Sequence, residues 1–339
     1  MDLTCFKPKK ILLYHTFSNI GDIVLSSPLP RALKKAYPTT DIDLMVLPKV
    51  EEIARYIPYI HQVIVYDKQG VDRSFKQLFK LRKHLRNQNY DLAITTSNST
   101  RSAIITWISG ACFRIGDKSE ATPLFLTNPV NPQHLPDLHQ SKYLLEYLRP
   151  LGIPREDSRL ELQISPEDIQ KVQSYFSQVH IRPRITICSV ACGAHRNWPV
   201  ENCSKLIQSL RPYADLYLVG TKTDKTRLEE INRLAGGFAH VLAGTLSIGE
   251  LIAFIHLSDL LITVDTGTLH IGTAVGTKVI GLFGSGEPLV WGPQGQNDIV
   301  IHHRCNPCIF SSGCRDNRCM KAIKAEEVFT ASMGLLKLT

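Results

Sequence analysis

The sequence has no long apolar run, and this absence excludes several classes of protein. No stretch of its 339 residues approaches the roughly 18 apolar residues of a membrane-spanning helix. The beginning, MDLTCFKPKKILLYHTF, has no apolar segment long enough for a secretory signal peptide. We therefore expect a cytoplasmic protein that does not cross a membrane, although it could contact the inner face of one.

A second absence concerns the loop after the first predicted strand. A Rossmann dehydrogenase would carry a Gly-Xaa-Gly-Xaa-Xaa-Gly turn there. This chain has FSNIGD at 17–22 instead. The sequence thus argues against a dinucleotide-dependent dehydrogenase.

Acidic residues are outnumbered by basic residues at the N-terminal end. Lys and Arg outnumber Asp and Glu by 15 to 8 in residues 1–90, whereas the counts are 24 and 23 in residues 91–339. Nearly all of the formal net charge of +8 is therefore N-terminal. Such a lobe favours an anionic partner, which could be nucleic acid, a membrane surface or a phosphorylated ligand.

The chain does contain a repeated alternation of short apolar runs and longer amphipathic stretches. This alternation is typical of βαβ units and a parallel sheet. It occurs in two series, separated by a Pro-containing connector at 150–166. The strand candidates are 10–14, 42–47, 62–66 and 91–95 in the first series, and 185–190, 216–220, 240–244, 260–264 and 278–284 in the second.

The simplest architecture for this pattern is α/β, with two doubly wound domains facing each other across a cleft. We place the domains at 1–160 and 161–339. Ligands of such sheets bind outside the carboxyl ends of the strands, so the loops that follow the strands are the candidate sites.

The segment DTGTLH (265–270) follows a predicted strand and begins a predicted helix. The first amides of a helix are unpaired and the helix dipole is positive there, so this turn is suited to a pyrophosphate. Gly267 would let the anion approach the backbone, and hydroxyls and an imidazole surround it. An equally good explanation is that the acid or a hydroxyl only caps the helix and that the imidazole packs in the core.

Three further residues stand in loops of this kind. Asp22 could be the N-cap of the first helix or a rigidly held general base, although the helix dipole would lower its pKa. Arg196 could pair bidentately with phosphate oxygens or simply lie at the surface. Asp224 could accept a hydrogen bond from a ribose hydroxyl or cap the next helix.

Taken in this order, the loops resemble those of the lipopolysaccharide heptosyltransferases of glycosyltransferase family nine. The resemblance implies a GT-B fold, with an N-terminal Rossmann-like acceptor domain and a C-terminal Rossmann-like donor domain. It also implies inverting transfer of heptose from ADP-heptose to the lipopolysaccharide inner core, with no metal or other cofactor required for catalysis. The shared features are Gly21-Asp22 after a strand, RNWP at 196–199, the turn at 220–224, and DTGTLHIGTAVGT at 265–277 followed by VIGLFG.

The resemblance also assigns roles to individual residues. Asp22 would be the catalytic base that deprotonates the acceptor hydroxyl. Arg196 falls where family members commonly have a phosphate-binding Lys, and Asn19 where a characterised member has Ser, so a relative with a different donor or acceptor is the alternative. The residues implied to bind the donor are Asn19, Arg196, Asp224, Asp265, Thr266, Gly267, Thr268, Leu269 and His270.

The implied acceptor, lipid A with its core oligosaccharide, is anionic and therefore suits the basic N-terminal lobe. The stretch RSFKQLFKLRKHLRNQ (73–88) mixes basic and apolar residues. We favour an ordinary amphipathic helix packed on the sheet over a helix that contacts the inner membrane surface.

Four of the nine cysteines cluster near the C-terminal end. Four thiolates this close could enclose a structural zinc ion, and free thiols or a disulfide are an equal alternative. A weaker alternative function is a nucleic-acid-binding protein with a four-cysteine zinc site, but it leaves the loop motifs unexplained, so we expect no nucleic-acid partner. The clustered residues are Cys305, Cys308, Cys314 and Cys319.

Overall fold

The computed structural model describes residues 6–67, 70, 74–119, 122–131, 138–176, 182–305, 314 and 316–338. The chain forms two compact units, Met1–Gln163 and Ile164–Thr339. Each of them contains a parallel sheet.

Unit 1, residues 1–163, contains a parallel sheet in the order β3-β2-β1-β4-β5-β6. The order of strands reverses between β1 and β4, which is the topological switch point of a doubly wound sheet. Its strands are β1 Lys10–Tyr14, β2 Asp41–Val46, β3 Gln62–Val65, β4 Leu92–Thr95, β5 Phe113–Asp117 and β6 Asn128–Val130. Its helices are α1 Ile20–Leu25, α2 Pro28–Ala36, α3 Glu51–Ala54, α4 Phe75–Asn87, α5 Thr100–Ile108 and α6 Gln140–Leu145.

The central strands of unit 1 are buried on both faces. Leu12 of β1 lies in register with Asp43 of β2 and Ala93 of β4, and all three are fully buried. Helices cover both faces of such a sheet, so its strands appear in the sequence as continuous apolar runs rather than alternating ones.

The connector predicted at 150–166 is fixed to unit 1 up to residue 163. Arg31 of α2 forms ion pairs with Asp157 at 3.0 Å and Glu161 at 3.4 Å. The Gln163 amide donates to the Tyr56 carbonyl at 2.8 Å. These contacts explain why the boundary between the units lies at residue 163, near the end of the predicted connector.

Unit 2, residues 164–339, repeats the plan with a parallel sheet in the order β12-β11-β10-β7-β8-β9. Trp198 is fully buried in its core and donates from Nε1 to the Ile323 carbonyl at 3.0 Å. The strands are β7 Arg184–Cys188, β8 Asp215–Leu218, β9 Ala239–Val241, β10 Leu260–Val264, β11 Val279–Phe283 and β12 Ile299–His302. The helices are α7 Pro166–Gln173, α8 Val200–Leu210, α9 Lys225–Leu234, α10 Ile248–His256, α11 Gly267–Val275, α12 Pro288–Trp291, α13 Arg318–Ala322 and α14 Ala325–Leu336.

The basic stretch 73–88 forms α4, which packs on the sheet of unit 1. Leu85 is fully buried, and Leu78 and Leu81 pack against the same core cluster. Phe79 points outward with 67% of its surface exposed. The helix is therefore amphipathic and packed, as expected; contact of its outer face with a membrane stays a prediction. Among the described residues, no helix combines the length and apolar character that crossing a bilayer requires.

Candidate active site

The N-terminus of α11 lies at the carboxyl edge of the unit 2 sheet. Its N-cap is Thr266, whose backbone is extended at φ −155° and whose side chain makes no capping hydrogen bond. The structure therefore contradicts the alternative that the Thr266 hydroxyl only caps the helix. A helix leaves its first amides without carbonyl partners in the preceding turn, which is the arrangement that binds anions in proteins. In α11 the third of these amides, Leu269 N, donates to the Thr266 carbonyl at 3.0 Å, so the amides of Gly267 and Thr268 are the candidate anion ligands.

Asp265 is held by an ion pair rather than by the helix. Its Oδ2 lies 3.3 Å from Arg196 Nη1, and the aspartate side chain is only 13% exposed. Burial raises the pKa of Asp265, and the charge and hydrogen bond of Arg196 oppose that rise. Asp265 therefore keeps the guanidinium of Arg196 at the start of α11.

The loop after β11 also reaches this point. A Cβ added to Gly286 would lie 2.5 Å from Asp265 Oδ2. Loops that follow three adjacent strands, β7, β10 and β11, thus meet around Asp265. The Nε of Arg196 is buried and has no hydrogen-bond partner among the residues that the structure describes, so this cation retains an unused donor.

The other predicted donor residues of the α11 turn differ in what they expose. Leu269 is fully buried, so it can offer a ligand only its backbone. The side chain of His270 is also buried, at 4% exposed. Gly267 and Thr268 are partly exposed at the start of the helix. A hydrogen bond links Thr268 to the Cys188 thiol at the end of β7.

Asp224 forms a capping box at the end of β8. Its Oδ2 accepts hydrogen bonds from the Thr221 amide at 2.8 Å and from the Thr221 hydroxyl. The structure thus shows Asp224 in a capping role, which is one of the two alternatives that the sequence leaves open. Both bonds use the same carboxylate oxygen, so Oδ1 is the atom that a further donor could reach.

In unit 1, Asp22 is not the N-cap of the first helix. Asn19 takes that place with an extended backbone, and Asp22 stands at the third position of α1. Asn19 Nδ2 donates to Asp22 Oδ2 at 3.1 Å. Burial raises the pKa of Asp22, and the bond from Asn19 lowers it only in part. A raised pKa makes this carboxylate a better base.

Sequence reasoning missed several polar residues at the same edge of unit 1. His15 follows β1 and Thr96 follows β4, and His15 Nδ1 lies 2.8 Å from the Thr96 hydroxyl. Burial lowers the pKa of His15 to about 3, so the imidazole is neutral. Arg101 of α5 donates to the Tyr66 hydroxyl at 2.7 Å. The run of small polar residues TSNST at 96–100 could have indicated this loop.

An Asp-Ile-Asp sequence at 41–43 has a structural role. Paired carboxylates of this kind can hold a divalent cation, but Asp43 is fully buried in β2. Its Oδ2 accepts from Tyr90 Oη and Gln62 Nε2, both at 2.7 Å. These bonds occupy the carboxylate within the sheet.

The cysteine cluster is only partly described, since Cys308 lies outside the described residues. Cys305 and Cys314 are half-buried, and Cys319 is buried. Within the described ranges, no group of three or more His, Cys, Asp or Glu side chains could hold a metal ion. The structure therefore gives the zinc interpretation no support.

Two Rossmann-like units, each with polar loops at the carboxyl edge of its parallel sheet, are the architecture of the GT-B class of glycosyltransferases. The chain belongs to glycosyltransferase family 9 (heptosyltransferase), whose family model matches residues 78–318.

Individual relatives agree with this assignment. The chain is 24% identical over 309 residues to the lipopolysaccharide core heptosyltransferase OpsX of Haemophilus influenzae, covering 89% of this chain and 86% of that protein. The structure of a family 9 glycosyl transferase from Veillonella parvula matches with a TM-score of 0.83 and 22% identity, over 100% and 99% of the two chains. That of the ADP-heptose lipopolysaccharide heptosyltransferase II of Escherichia coli matches with a TM-score of 0.78 and 21% identity, over 96% and 98%. The α/β, GT-B fold predicted from the sequence is confirmed.

Proposed function

We propose that this enzyme transfers heptose from ADP-heptose to the inner core of lipopolysaccharide, with inversion and without a metal ion. The observation that carries the proposal is the uncapped N-terminus of α11 with Arg196 beside it. Family membership and the names of the relatives support heptose as the sugar and lipopolysaccharide as the acceptor.

The leaving diphosphate would rest on the first amides of α11. Gly267 allows close approach of the phosphates, and Thr266 and Thr268 add hydroxyl donors. Arg196 has five N–H donors and uses one of them on Asp265, so it can bind a phosphate oxygen without leaving the ion pair. The charge that develops on the departing diphosphate is then neutralised by protein groups that are already in place.

The acceptor hydroxyl would be deprotonated by Asp22. Its environment raises the pKa of Asp22 towards the range in which a carboxylate is an effective base. Asn19 fixes the carboxylate through Oδ2, which leaves the other oxygen for the acceptor. An in-line displacement needs this base on one face of the sugar and the diphosphate on the other.

The remaining donor contacts follow from the same geometry. Asp224 would use its second oxygen for a ribose hydroxyl, and Leu269 and His270 would complete the wall of the pyrophosphate and sugar site. The N-terminal unit would bind the acceptor and the C-terminal unit the donor. The enzyme would work in the cytoplasm, peripherally at the inner face of the inner membrane, where lipid A carries the acceptor.

A family relative with a different nucleotide sugar is the second candidate, because Asn19 and Arg196 depart from the pattern of characterised members. The deciding experiment is calorimetric titration of the purified enzyme with ADP, UDP and NAD, followed by a transfer assay with ADP-heptose and a lipid A–core acceptor. We expect ADP to bind most tightly and heptose to be transferred. Equal affinity for all three nucleotides would contradict the assignment of the donor.

Independence from metal is tested separately. We expect chelator treatment to leave the rate of transfer unchanged, because amides and Arg196 replace the cation at the diphosphate. A loss of activity that Mg²⁺ or Mn²⁺ restores would contradict this part of the proposal. Elemental analysis of protein purified without chelator then shows whether the cysteine segment carries zinc.

A further inference from the structure

Arg101 is an exposed cation in the first turn of α5, where the chain leaves the carboxyl end of β4. Its Nη2 and Nε donate to the Tyr66 hydroxyl at 2.7 Å and 3.1 Å. Tyr66 is fully buried and follows β3. Among the described residues, the hydrogen bonds of Arg101 thus go to a phenol hydroxyl rather than to a carboxylate, and they orient the guanidinium.

This arginine lies at the edge of the sheet where a ligand is expected. The loops after β1 and β4 leave the switch point side by side, and the buried bond from His15 to Thr96 joins them at 2.8 Å. The loop after β1 leads into α1, whose first turn contains Asp22, and the loop after β4 leads into α5, whose first turn contains Arg101. The candidate base and this cation therefore lie in the first turns of helices that follow neighbouring strands.

The chemistry of Arg101 selects an anion. A guanidinium has five N–H donors, of which the Tyr66 hydroxyl takes two. The other three, in the same planar array, have no hydrogen-bond partner among the residues that the structure describes. Such an array matches the paired oxygens of a phosphate or a carboxylate. The first turn of α5 contains no acidic residue, and its N-cap, Ser99, makes no side-chain capping bond, so nothing in that turn competes for the cation.

We propose that Arg101 binds an anionic substituent of the acceptor, a phosphate or a carboxylate group, and that Tyr66 is the residue that positions it. The inference rests on the proposed function for the nature of the acceptor, a lipid A–core oligosaccharide. Because the substituent and the reacting hydroxyl belong to one molecule, a fixed anion orients the hydroxyl for attack.

The test compares R101Q, R101K and Y66F with the wild-type enzyme. R86Q is the matched control, since Arg86 is an exposed arginine of the same unit near the end of α4, next to Gly110. Affinity for the acceptor is measured calorimetrically without donor, and KM values for both substrates are measured in the transfer assay. Thermal unfolding of each variant shows that it is folded.

We expect R101Q to weaken acceptor binding about tenfold or more, because the substitution removes a charge-assisted hydrogen bond to the anion. R101K should recover part of the loss, Y66F should show a smaller loss, and R86Q should bind like wild type. KM for the donor should not change in any variant. Wild-type acceptor affinity in R101Q would overturn the inference, as would a loss equal to it in R86Q.

Two modified acceptors identify the anion, one with its phosphates removed and one with its carboxylates esterified. The modification that removes the partner of Arg101 should weaken binding to wild type but not to R101Q. If each modification weakens both proteins equally, Arg101 does not bind the anion. If wild type binds the acceptor but transfers no heptose, the proposed function fails, and the calorimetric comparison still decides the role of Arg101.

Discussion

At the scale of single residues, the site in unit 1 depends on the protonation of one carboxyl group. Burial raises the pKa of Asp22, and the hydrogen bond from Asn19 lowers it. A base must be unprotonated, so activity should rise as pH increases through this pKa. Any change that removes the bond from Asn19 should therefore move the acidic limb of the rate profile.

Asn19→Ala provides the first prediction. Without the donor, the charged form of Asp22 loses a stabilising contact, so its pKa rises and the acidic limb of kcat/KM shifts to higher pH. The measurement is the pH dependence of transfer for both proteins. A shift to lower pH would show that Asn19 does not act on Asp22 in this way.

Asp22→Asn provides the second prediction. The amide cannot accept the proton, so transfer should fall by at least the roughly hundredfold contribution of a general base, while calorimetric affinity for ADP stays unchanged.

The same variant tests the effect of Asp22 on stability. The pKa of Asp22 is raised in the folded protein, so its contribution to stability is present at low pH and is lost as pH rises through that pKa. Removal of the buried charge should therefore leave the Tm at neutral pH unchanged or higher. Unchanged turnover would return Asp22 to a structural role.

The third prediction concerns Arg196 and its ion pair with Asp265. Arg196→Ala removes the cation expected to meet the diphosphate, so ADP affinity should fall about tenfold or more. It also leaves Asp265 without its charge partner, at a cost of about 2 kcal/mol of stability. Because burial raises the pKa of Asp265, that cost should be smaller at pH 5 than at pH 8.

The exposed Arg182 serves as the control for this variant. Arg182 donates to the Arg211 carbonyl and lies just before β7, at the opposite edge of the sheet. Arg182→Ala should leave ADP binding unchanged. Equal weakening in both variants would mean that net charge, rather than position, attracts the nucleotide.

The sequence indicates which polar residues follow the predicted strands, but not which residues they contact. The places of Arg196 and Asp22 after strands follow from the pattern of apolar runs; their roles as site residues stay predictions. Their pairing cannot be recognised, since Arg196 and Asp265 are 69 positions apart. The sequence leaves the N-cap open as one alternative for Asp22 because acids often occupy it, yet Asn19 is equally suited and its extended backbone takes the place.

At the scale of elements, α11 is held close to the sheet by a glycine. A Cβ added to Gly272 would lie 2.5 Å from Leu261 Cδ2 and 3.0 Å from Val279 Cγ2. Leu261 and Val279 are fully buried on β10 and β11, so neither can move away freely. This close approach fixes the position of the helix N-terminus that the proposed diphosphate site uses.

Gly272→Ala is therefore the fourth prediction. Overpacking should lower the free energy of unfolding by about 1–3 kcal/mol and weaken ADP binding as α11 shifts. Gly334→Ala is the matched control, because no atom lies within 4 Å of an added Cβ at this position of α14. That variant should gain about 0.5–1 kcal/mol from helix propensity. Chemical denaturation measures both, and a stable Gly272→Ala protein would contradict the packing argument.

The strands that the sequence did not predict are all near the edges of the sheets. β6 is only three residues long and contains Pro129, β5 contains Gly116, and β12 has a half-exposed burial pattern. Short edge strands need few apolar residues, so periodicity does not reveal them. The long central runs, such as β1 and β10, are buried on both faces. The sequence predicts the bounds of these two strands as the structure has them.

At the scale of the whole molecule, the donor and acceptor roles are assigned to different units. Each unit has its own parallel sheet, and the core of unit 2 draws on residues from α7 to α14. The connector is bonded to unit 1 through Arg31 and Tyr56. A cut after Gln163 would therefore break neither sheet.

This division gives the last prediction. Residues 164–339 expressed alone should unfold cooperatively and bind ADP within a few-fold of the full chain, because Arg196, Asp265 and the start of α11 all lie in that unit. Residues 1–163 should not bind ADP, and neither fragment should transfer heptose, since Asp22 and the donor site would be separated. Calorimetry and a transfer assay on each fragment and on their mixture measure this. A folded C-terminal fragment that cannot bind ADP would show that unit 1 supplies part of the nucleotide site, and the assignment of one substrate to each unit would then be wrong.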